Sequence, residues 1–148
     1  MQNSEEADLL EWADGAHRNA MALAAMFGLT PDQYSEDPLV LLLGFQGYVK
    51  RLPFEEFEQS DWIALHADMT SYLGDLLVLR HGARWKKIPD QISLVGYRYV
   101  VEARGLDGRT RHVEPYDVAM EEFENPPIEI GRMVANAEAV LCVTPDID

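Results

Sequence analysis

Apolar positions in the first half of the chain recur every three to four residues. They switch to strict alternation in a middle segment and return to helical spacing near the C-terminus. A period of 3.6 marks one face of a helix, and a period of two marks one face of a strand. The first stripe, Leu9, Trp12 or Ala13, Ala16, Ala20, Leu23 or Ala24 and Phe27, predicts a long helix over residues 5–27. Ser4 is its expected cap, Glu5 and Glu6 suit the positive end of its dipole, and Gly28 stands where a left-handed terminal glycine belongs. "TPDQ" (30–33) then reads as a Thr cap, a Pro in the first turn and a Gln closing a capping box. Asp37 and Pro38 open an apolar run that predicts a short turn and a helix within residues 38–51, ended by Pro53. Gly44 and Gly47 weaken that helix by about 1 kcal/mol each relative to Ala, or let another backbone come close.

The third helix is expected to begin near Ser60 and to present two faces. Trp62, Leu65, His66, Met69, Leu73, Leu76 and Leu77 fall on a large apolar face. Ala64, Ala67, Ser71, Gly74 and Val78 form a stripe of small residues nearly opposite, the pattern of a central helix with another backbone packed close. The same small stripe, with Gly44 and Gly47, could instead serve as a seam between two copies, but internal packing is preferred. Arg80 and His81 suit the negative end of the dipole, and Gly82 is the expected terminal residue.

From Ala83 the pattern becomes extended. "ARWKKI" (83–88) is a first strand, "PDQ" (89–91) a turn, and "SLVGYRYVVEA" (93–103) a second strand. Val95, Tyr97, Tyr99, Val101 and Ala103 alternate onto one face of it, and Arg98 and Glu102 onto the other. "RGLDGR" (104–109) is a hairpin loop with Asp-Gly at its centre, and residues 109–114 return. Pro115 opens a short helix, the Pro126-Pro127 pair breaks it, and residues 128–143 form a last helix. The predicted fold class is α+β: N-terminal helices to residue 82, a three-stranded antiparallel meander over about 83–114, then two C-terminal helices. The 148 residues fit one domain, with a loose tail at 144–148.

Composition sharpens this reading only in places. No apolar run approaches the roughly 18 to 20 residues of a membrane span; "PLVLLLGF" (38–45) is too short. The first twelve residues lack the basic-then-apolar order of a secretory signal, and a lone Cys142 rules out an internal disulfide. A cytoplasmic, soluble protein is expected. The net charge of −14 is unevenly spread, with a basic segment over residues 80–111 between two acidic flanks. Internal pairing between these blocks is the plain reading, and an anion-facing or partner-facing patch is the functional one. Duplex nucleic acid is disfavoured as a partner, because the overall field repels phosphates.

Few residues gather in patterns that carry chemistry. Asp61, Asp68 and Asp75 recur every seven residues, about 10.5 Å apart along the helix, too far for two of them to share an ion. They read as a solvated acidic edge, or as a docking stripe for a basic partner. His17, His66, His81 and His112 show no metal-ligand spacing, so no metal and no cofactor is expected. His66 reads as a hydrogen-bonded core histidine and Cys142 as a buried small hydrophobe. His112 and Glu114 share a strand face with Thr110, and Asp117 lies just beyond; these form the best acid–base candidates, without a nucleophile. "GLDGR" joins two strands, so it offers no phosphate-binding helix terminus.

"SYLGDLLVLRHGARW" (71–85) resembles a motif of small bacterial proteins of unassigned function. Those proteins carry Tyr-Leu-Gly-Glu on a helix, then Gly-Gly/Ala-x-Trp stepping into a strand. The matching residues are Tyr72, Leu73, Gly74, Gly82, Ala83 and Trp85, with Arg84 at the open position and Asp75 in place of the usual Glu. The likeness extends loosely over residues 62–141. It implies an α+β fold and no particular activity; some proteins with this build look like toxin-neutralising or accessory proteins. Three functions are therefore expected in descending order. The first is a non-catalytic protein-binding module, in its sharper form an immunity-type inhibitor, docking a basic protein through Glu55, Glu56, Glu58, Asp61, Asp68 and Asp75. The second is a small-anion or small-ligand binder using Arg98, Arg109 and Arg111. The third is a hydrolase-type enzyme built on His112, Glu114 and Asp117.

Overall fold

The computed structural model describes residues 2–145, with side chains from residue 6 onward. Helix α1 spans Gln2–Met26 and α2 spans Pro31–Glu36; a 3₁₀ turn at Pro38–Leu41 leads into α3, Leu42–Lys50. A second 3₁₀ turn at Phe54–Glu56 precedes the long helix α4, Gln59–His81. Strands β1 (Arg84–Pro89), β2 (Tyr97–Arg104) and β3 (Thr110–Val113) follow, then α5 (Pro115–Phe123) and α6 (Ile130–Leu141). The fold is α+β. The sheet is an antiparallel meander in the order β1-β2-β3, with Trp85 opposite Val101 and Glu102 opposite His112.

Helix α4 lies at the centre. α1 and α5 pack against it, and the inner sheet face closes over its C-terminal half. Tyr72, Leu73, Leu76 and Leu77 are fully buried in one contiguous cluster with Tyr34, Phe45, Val101 and Met133. Local signals account for most boundaries. Thr30 Oγ1 accepts from the Gln33 amide at 3.1 Å and Gln33 Oε1 accepts from the Thr30 amide at 2.8 Å, the expected reciprocal box. Gly82 ends α4 in the left-handed conformation at φ +65°. The start of α6 is fixed from outside: Gln46 Nε2 donates to the Ile128 carbonyl and Gln46 Oε1 accepts from the Ile130 amide.

Several expectations need correction. α1 begins at Gln2, so the Ser4 backbone is inside the helix; the Ser4 and Glu5 side chains lie outside the described residues, as do residues 146–148 of the tail. β2 starts at Tyr97, not 93. Gly96 takes φ +84°, and the Asp90 amide donates to the Gly96 carbonyl at 2.9 Å, closing a loop that leaves Val95 65% exposed. The close neighbour of Gly74 is a side chain, not a backbone: a Cβ there would lie 2.0 Å from Cζ2 of Trp85. Gly44 and Gly47 likewise meet side chains and not a backbone: a Cβ on Gly44 would come to 2.9 Å from the Phe27 ring, and one on Gly47 to 3.6 Å from the Arg51 guanidinium. Cys142 is half-buried and ends α6 at φ 57°, with its carbonyl accepting from the Leu106 amide.

Candidate functional site

The spacing along α4 places Asp61, Asp68 and Asp75 on one edge, but α1 runs antiparallel across part of that edge and gives each a different environment. Asp75 is buried, 4% exposed, and accepts from the Tyr34 hydroxyl at 2.6 Å and from His17 Nδ1 at 2.9 Å. It is therefore no part of a docking surface. Burial and the adjacent carboxylate hold the Tyr34 hydroxyl protonated far above its ordinary range. Asp68 is half-buried beside Asn19, whose amide donates to it at 3.2 Å, and desolvation raises its carboxyl. Asp61 is exposed and accepts from the Glu58 amide as part of a helix cap. Glu55, Glu56, Glu58 and Asp61 remain together at the surface. Beside them a shallow cleft of about 360 Å³ is lined by Tyr48, Phe57, Glu56, Asp61 and Asp68.

The arginine set does not converge. Arg98 lies on the outer sheet face with Glu102 and His112, and its Nη1 donates to Glu114 at 3.4 Å. Arg111 shares the inner register of Ala103 and is held bidentately by Asp107 at 2.8 and 2.6 Å. That guanidinium, with the Arg109 amide, keeps the Asp107 carboxyl well below the usual range. Arg109 is exposed in the hairpin. The acid–base trio is likewise divided. His112 Nε2 donates to Glu102 at 2.9 Å across the strand pair, which lowers the Glu102 carboxyl. Glu114 faces Arg98 and Asp117 instead. Burial, then the neighbouring Asp117 carboxylate, pushes its carboxyl up to about 7.

A more voluminous cavity than the cleft beside Asp61 lies elsewhere, and no short motif announces it. α1 and α5 flank α4, and the gap between them opens as a groove of about 840 Å³. Small residues of α4, Ala67 and Ser71, lie along it, so the small stripe expected to admit a backbone leaves open space instead. Trp12 of α1 stacks on Tyr99 of β2 at 4.2 Å and 11°, and meets Trp85 edge-on at 5.7 Å. At the other end Trp62 packs against Phe54, Phe57 and Phe123. All three tryptophans of the chain line this groove, with Tyr97, Tyr99 and Tyr116.

Polar groups in the lining are few. His66 Nε2 donates to the Tyr116 carbonyl at 2.9 Å. Thr70 Oγ1 and Trp85 Nε1 are buried with no hydrogen-bond partner, and both residues belong to the lining. A buried polar group left unpaired costs about 1–3 kcal/mol, which a partner would offset. Asp8 and Glu11 of α1 stand exposed at the rim. Helical spacing puts Trp62, and Trp12 or Ala13, on apolar stripes, and Trp85 falls in a strand. Only the tertiary arrangement shows that the three tryptophans border one open space.

Among the described residues no group of three His, Cys, Asp or Glu is placed to hold a metal ion, and no helix is long and apolar enough to cross a membrane. Comparison with protein-family models, curated proteins and solved structures gave no match.

Proposed function

We propose that this chain is a non-catalytic binding protein whose site is the aromatic groove between α1, α4, α5 and the inner face of the sheet. One observation supports this above all: three tryptophans line a single solvent-open cavity that none of the described residues fills. Aromatic surface is costly to leave in water, and concave apolar sites of about 300–1,000 Å³ with a few fixed polar groups suit small organic ligands. The ligand thus enters on the tyrosine-bearing inner face of the sheet and not through Arg98, Arg109 and Arg111.

The test uses the tryptophans as reporters. N-phenylnaphthylamine, an uncharged aromatic probe that accepts tryptophan emission, should quench the protein saturably and at equimolar ratio. Gly15→Leu should abolish this. Gly15 lines the groove, a Cβ there meets nothing within 4 Å, and the change removes the roughly 1 kcal/mol helix cost of glycine. Quenching that is absent, or unchanged in Gly15→Leu, removes the groove as the site.

The exposed cluster Glu55, Glu56, Glu58 and Asp61 favours a second reading, a docking patch for a basic protein partner such as the target of an immunity-type inhibitor. Here wild type and the triple charge reversal Glu55→Lys/Glu56→Lys/Glu58→Lys would serve as parallel baits at low and high salt. The expected partner is retained only by wild type and only at low salt. A partner held equally by both baits contradicts this patch.

A further inference from the structure

We infer that the ligand of the groove is an organic cation, an ammonium group carried on an apolar or aromatic body, with its charge seated between Asp8, Glu11 and Tyr97. The inference rests on the groove being the binding site. Lys87, a residue of β1, already displays the chemistry of this end. Its Nζ lies 4.0 Å from the centroid of the Tyr97 ring and 3.7 Å from an Asp8 carboxylate oxygen. The face of an aromatic ring carries partial negative charge and attracts a cation within about 6 Å, and a carboxylate adds direct attraction. An ammonium of the chain itself thus sits at the rim.

The charge balance then sets the sign of what the groove can take. Lys87 offsets one carboxylate, Asp8, whereas Glu11 has no ion-pair partner among the described residues. The residues lining the groove include no lysine or arginine, and the Lys87 ammonium beside them is already paired with Asp8, so a bound anion would meet aromatic faces and the carboxylate of Glu11. The field reaches the wall as well: burial first, then Tyr97 and the carboxylates of Asp8 and Glu11, raise the Tyr99 hydroxyl above its ordinary value. Aromatic walls accommodate the body, and the acidic rim selects the charge.

Three probes sharing a phenylbutyl body separate the possibilities: phenylbutyl-trimethylammonium, its neutral analogue with carbon in place of nitrogen, and phenylpentanoate. Each is titrated against tryptophan emission in wild type, Gly15→Leu, Lys87→Met and the double variant Asp8→Asn/Glu11→Gln. Asp8 and Glu11 are exposed and their replacements keep shape, so the double variant retains the fold. The cation should bind about tenfold more tightly than its neutral analogue, and the anion more weakly than both. The double variant should remove that preference, and Lys87→Met should strengthen cation binding by freeing Tyr97 and Asp8. If cation and neutral analogue bind equally and both are lost in Gly15→Leu, the cation inference falls while the groove stands. A preference for phenylpentanoate overturns the inference as well. If no probe changes the emission of wild type, the groove itself is not the site.

Discussion

Asp75 accepts hydrogen bonds from side chains 58 and 41 positions away, and it shows how little a single residue's neighbours in sequence reveal about its role. Its heptad spacing from Asp61 and Asp68 is real, and so is the shared helix edge. Yet α1 covers that edge as far as Asp68 and leaves only Asp61 outside. A carboxylate so placed is structural. Asp75→Ala strands the fully buried Tyr34 hydroxyl and the His17 ring together, so it should cost about 3 kcal/mol in urea unfolding. Tyr34→Phe leaves the carboxylate its His17 contact and should cost less. Equal stability of Asp75→Ala and wild type would show that the pair contributes nothing net. The identity of Asp75 as an acid is legible in the sequence; its burial is not, because the groups that neutralise the cost lie on other helices.

At the scale of elements, Gly74 and Trp85 explain the stretch at 71–85. Gly82 stops the helix in a left-handed turn, the chain reverses into β1, and the Trp85 ring lies flush on the one α4 position without a Cβ. Tyr72 anchors the same turn of helix by donating to the Pro38 carbonyl at 2.9 Å. Gly74→Ala places a methyl 2.0 Å from Cζ2 of Trp85, and overpacking of this kind costs about 1–3 kcal/mol despite the better helix propensity of Ala. Trp85→Leu in the same chain should recover part of that loss. Additive effects of the two changes would mean that the residues do not interlock. The helix stop, the strand start and the contact role of Gly74 are all readable from residue type and period. The partner of Gly74 is not, since nothing local distinguishes a backbone from an indole. β2 falls short for a similar reason: alternation continues through Val95, but the turn at Gly96 and the Asp90 amide bond outweigh it.

Across the whole molecule, the basic middle pairs with the acidic flanks only in part, and Lys86 and Arg111 turn to Glu102 and Asp107 within their own segment. Arg80 and His81 meet Glu138 at 2.8 and 2.5 Å, Lys87 meets Asp8, and Arg98 meets Glu114. Glu114 carries the clearest consequence for pH. Its folded value, about 7, lies above the roughly 4.3 of an unfolded glutamate, so the folded chain keeps a proton that the unfolded chain has released. The resulting stability is fully present below about pH 4.3 and is lost as pH rises through about 7. Glu114→Gln, which imitates the protonated form, should therefore melt higher than wild type near pH 8, with the difference shrinking towards about pH 5. A difference independent of pH over that window rejects the raised carboxyl.

Period, caps and turn residues by themselves determined the order of helices and strands, the α+β class and most boundaries, because those signals act over a few neighbouring residues. The groove, the burial of Asp75 and the dispersal of Arg98, Arg109 and Arg111 were decided only in three dimensions. Each depends on how α1 and α5 straddle α4, a long-range packing choice that no local window of the sequence encodes.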